Sequence, residues 1–411
     1  MALIVQKYGG SSVATPELMR GVAARIVKNR DQGHDLVVVV SAPGDTTDDL
    51  ISLARQITDE PDEREMDVLL ATGEQQSIAL LAIAIKALGH DAISFTGPQV
   101  GIITDDVHGR ARIVKIGDEK IRKAIRLGKI VIVAGFQGQT EEEDITTLGR
   151  GGSDLTAVAL ASSLGAEVCE FYKDVDGVYT ANPRLVRDAR KLESISYDEM
   201  LEMSSLGAQV LNSRSVEFAK NNRVKVHVRS TFHDHPGTLI TEEGNAMEKL
   251  LISGVTYNKD EAKLTVLGIK DKPGIAAVIF KALAAHFLNV DMIIQDTSEE
   301  GVTNLSFTVA KGDLKKAQQA LESVARELGA VGVQVDEKIA KVSAVGVGMR
   351  SYSGVAAQMF EALAARGINI QMISTSEIKI SCVVAESDTE EAVRAIHEKF
   401  KLGAAPVHEQ A

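Results

Sequence analysis

The sequence has no tryptophan, only two cysteines and no run of 18 apolar residues. Two cysteines cannot build a disulfide framework, and Cys169 and Cys382 lie in apolar stretches, so we expect both to be buried and reduced. The missing apolar run predicts no membrane-spanning helix. The first residues, MALIVQKYGG, have neither the charged start nor the cleavage site of a signal peptide, and we interpret them as a strand.

The chain also lacks an excess of positive charge. Its 45 Lys and Arg residues stand against 57 Asp and Glu residues, a formal net charge of -12. A general nucleic-acid-binding protein would carry a basic stripe, so that class is disfavoured. The length of 411 residues predicts two or three domains. Composition therefore indicates a soluble, cytoplasmic protein that binds neither nucleic acid nor membrane.

Strand-like and helix-like segments alternate through the first half of the chain. β-Branched or apolar runs predict strands at 3–8, 36–41, 91–95, 130–134, 167–172 and 224–228. Helical spacing predicts helices from Pro16 (with Thr15 as cap and Gly33 as stop), on both sides of 71–74, and at 74–88, 118–127, 153–164 and 213–221. This alternation predicts an α/β domain of three layers, a mostly parallel sheet between helices.

Polar residues and glycines follow several of these predicted strands. Lys7, Gly9, Ser41, Gly135 and Asp174 all stand at or just after a strand end. Open parallel sheets bind ligands at the carboxyl ends of their strands. We therefore expect these residues to converge on one site.

The stretch 147–165, TLGRGGSDLTAVALASSLG, is the strongest single motif. Ser153 is a plausible N-cap, and Asp154 follows in the first turn, where a carboxylate suits the helix dipole. Glycines before a helix let backbone N–H groups face an anion, and Arg150 adds a guanidinium fork that fits a carboxylate or phosphate. Alone, such a short glycine motif is more often an ordinary turn with an exposed arginine than a binding site.

The second half of the chain repeats itself with an offset of 80 residues. Between 274–293 and 354–373, 11 of 20 positions are identical, beginning with Gly274 and Gly354 and including Asn289 and Asn369. In each copy a strand leads to a helix that starts with glycine, then to an Asn-led strand. Two tandem ferredoxin-like βαββαβ units explain this pattern, and the polar tract 242–249 is the candidate linker.

Five motifs of the first half together resemble the aspartate kinases of the amino-acid kinase superfamily. They are KYGGSSV (7–13), VVVSAPGDTTDDL (38–50), ATGE (71–74), TTLGRGGSDLTA (146–157) and KDVDGVYTANPR (173–184). The tandem repeat resembles a pair of ACT domains, amino-acid sensors. The resemblance implies a catalytic domain at 1–245, a first ACT domain at 264–336, and a second built from 250–263 plus 337–411. The first sensor would thus be inserted in the second.

The resemblance implies phosphorylation of L-aspartate by ATP with Mg²⁺, the first step of lysine, threonine and methionine biosynthesis. Lys7 and Asp154 would be catalytic, with Asp154 orienting Lys7. The substrate would be held by Ser41, Thr47, Glu74, Arg150, Gly151, Gly152 and Ser153. The nucleotide would be held by Lys7, Tyr8, Gly9, Gly10, Lys173, Asp174, Tyr179 and Arg184. No metal-ligating residues are expected, because Mg²⁺ would be carried chiefly by the ATP phosphates.

Regulation by end products, with lysine and threonine as the expected effectors, is implied by the ACT pair. The expected effector-binding residues are Asp271, Gly274, Ile275, Ala276, Asn289, Val290, Asp291, Gln295, Asn369 and Ile370. The assembly would be a homo-oligomer, or an α2β2 complex with a small subunit from an internal start near Met247.

Two alternatives remain at this point. The chain could be a kinase of another small acid, glutamate or N-acetylglutamate, or a non-catalytic amino-acid sensor. One departure concerns position 209, where many relatives carry a lysine and this chain has Gln209. A nucleotide contact at that position is therefore in doubt.

Overall fold

A computed structural model describes residues 2–208, 210–242, 251–297 and 301–403. These residues form two compact units. The first contains residues 2–178, 191–205 and 210–242, and the second contains residues 179–190, 206–208, 251–297 and 301–403. The candidate linker 242–249, including Met247, lies outside the described residues except for position 242. Gln209 also lies outside them.

The first unit alternates strands and helices, as the sequence predicts. Its strands are β1 Leu3–Tyr8, β2 Asp35–Val40, β3 Ala92–Phe95, β4 Ile102–Thr104, β5 Ile113–Ile116, β6 Ile130–Ala134, β7 Gln137–Gln139, β8 Ile145–Thr147, β9 Val168–Lys173, β10 Ser194–Ser196, β11 Val226–Ser230 and β12 Thr238–Thr241. Its helices are α1 Pro16–Asp31, α2 Thr46–Arg55, α3 Glu63–Ala87, α4 Glu119–Arg126, α5 Gly152–Leu164, α6 Tyr197–Ser205 and α7 Ser213–Asn221.

A large sheet forms the centre of this unit, with strand order β10-β12-β11-β9-β1-β2-β6-β3. The neighbours from β11 to β3 are all parallel, which confirms the mostly parallel α/β fold. The β-branched runs of β2 and β6 are buried along nearly their whole length, as expected for strands covered on both faces. Lys7, near the carboxyl end of β1, lies between Val39 of β2 and Phe171 of β9. The strand β1 is an inner strand of the sheet, so Lys7 lies near the centre of the sheet's carboxyl edge.

The helix α3 differs from the sequence prediction. We predicted two helical stretches on either side of 71–74, but one helix of 25 residues runs through them. Gly73 lies within it where a Cβ would stand 2.7 Å from the Cβ of Ala42, so the glycine permits a close approach of helix and loop. By length and composition alone α3 could cross a membrane, but half of its apolar window is buried in the fold, as in a core helix.

Two further features of the first unit were not predicted. The helix α5 begins at Gly152 with Gly151 as its N-cap, so Ser153 lies within the first turn and the predicted cap is wrong. The left-handed φ of 74° at Gly151 ends the preceding turn without a side-chain cap. A second, small sheet of order β5-β4-β7-β8 was missed because its strands are only three or four residues long.

The second unit contains the repeat and confirms the two ferredoxin-like folds. Its strands are β13 Gly254–Asn258, β14 Glu261–Lys270, β15 Asp291–Thr297, β16 Val302–Ala310, β17 Gly332–Asp336, β18 Ile339–Val345, β19 Met372–Thr375 and β20 Lys379–Ala385. Its helices are α8 Ile275–Ala285, α9 Leu314–Glu327, α10 Val355–Ala365 and α11 Thr389–Lys399. The antiparallel sheets have the orders β15-β16-β14-β17 and β13-β18-β20-β19.

The strand β13 pairs antiparallel with β18, from Gly254 opposite Val345 to Asn258 opposite Lys341. The run before the first repeat therefore completes the sheet of the second repeat, as the sequence predicts. The limits of the two ACT domains stay a prediction. Both cysteines are buried and free, Cys169 in β9 and Cys382 in β20.

Polar and apolar contacts join the two small sheets of the second unit. Met292, Ile339, Met372 and Val383 form a shared apolar cluster. Beside it Lys341, only 2% exposed, pairs with Glu261 and, at 2.6 Å, with Asp291. Because a buried cation needs paired charges, this triad fixes how the strands β14, β15 and β18 lie together.

Candidate functional site

A buried ion cluster lies at the carboxyl edge of the large sheet. Nζ of Lys7 lies 2.5 Å from Oδ1 of Asp154, and Nζ of Lys173 lies 3.0 Å from Oδ2 of the same carboxylate. Lys7 and Lys173 come from the neighbouring strands β1 and β9, and Asp154 comes from the first turn of α5. Lys7 and Asp154 are each 4% exposed. Three predicted site residues are thus in direct contact, with the two lysines on either side of one carboxylate.

The pKa directions of this cluster follow from burial and charge. Burial alone would raise the pKa of Asp154, but Lys173 and Lys7 lower that pKa to about 2. Burial lowers the pKa of Lys7, and Asp154 offsets part of that shift. Asp154 is therefore a permanent carboxylate between two ammonium groups. Two cations on one anion leave an excess of positive charge, which suits an anionic ligand such as a phosphate.

The loops after β1 and β2 touch each other beside this cluster. The amide of Gly44 donates to the carbonyl oxygen of Gly10 over 3.0 Å. A Cβ at Gly10 would stand 2.6 Å from the carbonyl oxygen of Ala42, so no larger residue fits without moving the backbone. Ser41, on the second loop, and Thr47, in the first turn of α2, are both half-buried beside this contact. The expected convergence of the two loops is therefore present.

Glu74 of α3 reaches the same loop from the helix side. Its Oε1 accepts a hydrogen bond from the amide of Ala42 at 3.0 Å, while its buried Oε2 has no hydrogen-bond partner among the described residues. The side chain is 3% exposed, and burial raises its pKa to about 7. An unpartnered, buried carboxylate oxygen is costly in isolation, and a cationic group of a ligand would satisfy it.

The glycine loop presents Arg150 at the start of α5. Arg150 is exposed, and its guanidinium has no hydrogen bond or ion pair within the described part of the chain. Gly149 and Gly151 on either side have left-handed φ values of 76° and 74°. A Cβ at Gly151 would meet the Asn212 side chain at 2.4 Å, so glycine is required there. A free guanidinium beside an ion cluster and a helix N-terminus can bind a carboxylate.

The residues predicted to hold the nucleotide lie in three different settings. Gly9, Gly10, Lys173 and the exposed Asp174 stand at the carboxyl edge of the sheet. The ring of Tyr8 is instead fully buried and stacked on Tyr172 at 4.7 Å, so only the backbone of Tyr8 is available to a ligand.

Tyr179 and Arg184 belong to the second unit, in the segment 179–190. Arg184 is exposed, and its amide donates to Oδ1 of Asn182. Their part in nucleotide binding stays a prediction.

The expected effector-binding residues lie in the second unit around the starts of α8 and β15. Gly274, with a φ of 97°, precedes α8, which begins with Ile275 and Ala276 and has no side-chain cap. Asp271, Asn289 and Gln295 are exposed, and Val290 is half-buried. In the second copy Asn369 is exposed and Ile370 half-buried. Asp291 differs from expectation because Lys341 already occupies its carboxylate and lowers its pKa against the effect of burial.

Sequence reasoning missed several residues that hold these loops. Ser77 donates to the carbonyl oxygen of Ser41, and Asp67, Asn212 and Arg214 contact the Arg150 loop and its neighbours. Asp67 and Glu74 are the two buried acids of α3, seven residues apart and so on one face. That spacing is a signal the sequence did contain. Phe136, with a left-handed φ of 71° against Gly152, gave no signal.

Comparison with known families and proteins agrees with this architecture. The model of the amino acid kinase family matches residues 2–230, and an ACT domain model matches residues 264–324 and 342–400. A curated aspartate kinase from Pseudomonas putida is 55% identical over 405 residues, covering 98% of each chain.

Two solved structures of Escherichia coli aspartokinase III are similar over nearly the whole chain. One, in complex with aspartate and ADP, has a TM-score of 0.80 at 26% identity and covers 97% of this chain and 99% of that one. The other, in complex with lysine and aspartate, has a TM-score of 0.74 at 26% identity with the same coverage.

The buried Glu74 predicts an unusual pH dependence of stability. Its pKa rises from an ordinary 4.5 to about 7 on folding, so the folded state binds the proton more tightly. The free energy of unfolding should therefore fall between pH 4.5 and pH 7, by about 3 kcal/mol from this group. A Glu74→Gln variant lacks this loss. Urea titrations of the two proteins at pH 5 and pH 8 should show the variant gaining relative stability at pH 8. An unchanged difference would contradict the raised pKa.

Proposed function

The chain belongs to the amino acid kinase family and to its aspartate kinases, and on that premise we propose how its residues perform the reaction. The γ-phosphoryl group of ATP passes to the side-chain carboxylate of L-aspartate, giving 4-phospho-L-aspartate. The observation that carries the site assignment is the buried cluster of Lys7, Asp154 and Lys173. Neither a kinase of glutamate or N-acetylglutamate nor a non-catalytic sensor is favoured, since the full-length relatives are aspartate kinases.

The phosphoryl side of the reaction depends on positive charge held in place. Phosphoryl transfer needs little covalent help from the protein, but it needs donors around the moving group. Lys7 and the backbone of Gly9 and Gly10 meet the phosphates, and Lys173 adds a second ammonium. Asp154 keeps both lysines oriented before the substrate arrives, so no reorganisation is needed in the transition state. Asp154 is not required as a base, because the attacking carboxylate is already ionised.

The acceptor side must hold an amino acid with its side chain toward the phosphates. Arg150 binds the α-carboxylate through its two-pronged guanidinium, aided by Gly151, Gly152 and Ser153 at the start of α5. Glu74 receives the ammonium group at its unpartnered Oε2. The ammonium group would also lower the raised pKa of Glu74 and hold that side chain ionised. Ser41 and Thr47 donate hydrogen bonds to substrate or phosphoryl oxygens.

ATP is the phosphoryl donor, and the E. coli aspartokinase III described above was solved with ADP. Asp174 and the backbone of Tyr8 hold the nucleotide. Mg²⁺ would be carried chiefly by the ATP phosphates, where it would neutralise part of their negative charge. No cluster of three or more His, Cys, Asp or Glu side chains in the described parts of the chain is arranged to hold a metal ion.

The proposed reaction is tested by comparing acceptors. In a coupled assay of ADP release, the purified protein with ATP and Mg²⁺ should respond to L-aspartate and remain near background with L-glutamate and N-acetyl-L-glutamate. Hydroxylamine trapping of the acyl phosphate should identify the aspartyl product. Equal or faster turnover with glutamate or N-acetylglutamate would contradict the proposal, and no turnover with any acceptor would favour a sensor.

The proposed binding of aspartate by Arg150 gives a further prediction. Arg150→Lys keeps the charge but loses the planar fork, so KM for aspartate should rise about tenfold or more, the equivalent of one lost bidentate contact. KM for ATP should stay near the parent value. The exposed Arg20 of α1 offers a matched control, because Arg20→Lys should change neither constant. A rise in KM for ATP with an unmoved KM for aspartate would exclude this role.

Regulation is proposed to act through the sensor pair. The start of α8 offers free N–H groups to an effector carboxylate, and Asp271 offers a carboxylate to its ammonium. Asp291 is a weaker partner for the ammonium, since Lys341 already neutralises it. Lysine and threonine are the proposed effectors, and the lysine complex of E. coli aspartokinase III supports the first. An effector inhibits if it binds the inactive arrangement more tightly, by about 1–3 kcal/mol for a typical coupling.

The exposed side chains of this region allow a direct test. Asp271→Ala and Gln295→Ala should each relieve inhibition by lysine plus threonine while leaving the uninhibited kcat nearly intact. Dose–response curves of initial rate against effector provide the measurement. The matched control is Asp313→Ala, also in the first sensor but before α9. Parent-like sensitivity in both test variants would place the effector elsewhere.

Assembly and location complete the proposal. The protein works in the cytoplasm as a homo-oligomer, or as an α2β2 complex whose small subunit starts near Met247. An antibody against the C-terminal sensors, applied to an extract of the native cells, distinguishes these assemblies. One full-length band supports the homo-oligomer, and an additional short band supports the internal start.

A further inference from the structure

We propose that Asp67 and Arg214 are positioning residues for Arg150: they fix the loop 147–152 from two sides, so that the guanidinium is preorganised for the substrate carboxylate. This inference rests on the proposed role of Arg150 in binding aspartate. Neither residue is proposed to touch the substrate.

Asp67 holds the loop from α3. The side chain is fully buried, and its Oδ1 accepts a hydrogen bond from Oγ1 of Thr147. The amide of Gly109 donates to both oxygens, at 3.1 and 3.0 Å, and Nδ1 of His108 lies 2.8 Å from Oδ2. One carboxyl group thus joins the residue at the end of β8 to the turn between β4 and β5.

The turn between β4 and β5 in turn supports the glycines around Arg150. The amide of Ala111 donates to the carbonyl oxygen of Thr147 at 2.9 Å. A Cβ at Gly149 would stand 3.1 Å from the carbonyl oxygen of Gly109, so the two segments lie in close contact. Displacing 108–111 would therefore displace the backbone beside Arg150.

Arg214 holds the loop from α7. Its Nη1 donates to the carbonyl oxygen of Leu148 at 2.9 Å, and its Nη2 donates to that of Ala111 at 2.8 Å. Next to it Nδ2 of Asn212 donates to the carbonyl oxygen of Arg150 itself at 3.2 Å. The fork of Arg214 is thus committed to two backbone carbonyls on the two segments that Asp67 also joins.

Such bracing has a physical purpose. A loop with glycines at 149 and 151 loses more conformational freedom on ordering than other sequences, and an exposed arginine loses rotamer entropy when it binds. If the surrounding structure already orders the loop, substrate binding loses less conformational entropy and is stronger. Weakening the contacts of Asp67 and Arg214 should therefore weaken aspartate binding without removing any group that contacts aspartate.

The test is a comparison of KM values in three variants of the full-length protein. Asp67→Asn weakens the acceptor, Thr147→Val removes one donor, and Arg214→Lys keeps the charge but cannot bridge two carbonyls. Each should raise KM for aspartate about fivefold or more, leave KM for ATP within about twofold, and change kcat less than KM for aspartate. Thr147→Ser, which keeps the hydroxyl, should restore the parent value. Asp118→Asn and Arg122→Lys, which disturb an ion pair on α4, are the matched controls.

A double-mutant cycle separates positioning from general destabilisation. In an Arg150→Met background, Arg214→Lys and Thr147→Val should add little further rise in KM for aspartate, because the group they position is gone. Full additivity in this cycle, or equal increases in the KM of ATP and aspartate in the single variants, would overturn the inference. If Asp67→Asn does not fold, Thr147→Val and Arg214→Lys carry the same test.

The outcome also distinguishes this inference from the proposed function. Suppose that Arg150→Met raises KM for aspartate while Asp67→Asn, Thr147→Val and Arg214→Lys do not. Positioning by Asp67 and Arg214 is then wrong, while aspartate binding by Arg150 stands. If Arg150→Met itself leaves KM for aspartate unchanged, the role of Arg150 fails and the inference is overturned with it.

Discussion

The ion cluster of Asp154 with Lys7 and Lys173 is the interaction on which the rest of the site depends. Burying two ammonium groups at a sheet edge is costly unless a carboxylate lies between them. Asp154 provides that carboxylate, and its pKa of about 2 keeps it charged at any physiological pH. Its place in the first turn of α5 also fixes where the glycine loop must end. The phosphate-facing charge and the Arg150 loop are therefore built from one helix start.

The helix α3 supplies the second constraint. Its two buried acids, Asp67 and Glu74, lie two turns apart on one face and reach different loops. Asp67 bonds to the end of β8 and the turn before β5, while Glu74 bonds to the backbone after β2. Gly73 lets the helix approach Ala42 closely enough for the second contact. The loop of Arg150 and the side chain of Glu74, proposed to hold the α-carboxylate and the ammonium of aspartate, are thus both positioned by the same helix.

The sequence allowed much of this to be predicted, because the strongest signals are local. The β-branched runs of β2 and β6, the Thr15 cap of α1 and the repeat from Gly274 were read correctly. Other predictions were wrong because contacts between residues distant in sequence determine the structure there. The two helical stretches predicted on either side of 71–74 form one helix, in which Gly73 allows a close approach to Ala42, and the ring of Tyr8, predicted at the nucleotide, lies in the core. Arg214 could not be found, since its carbonyl partners are distant in sequence and carry no side-chain signature.

Asp154 and the lysines are proposed to act in the transition state rather than in ground-state binding. Steady-state kinetics of Lys7→Ala and Asp154→Ala, with folding checked by circular dichroism, test it most directly. Removing a preorganised electrostatic contact typically costs about 10²–10³ in kcat. We expect a loss of at least that order in kcat for both variants, with much smaller rises in KM for ATP and aspartate. Folded variants that keep the parent kcat would contradict it.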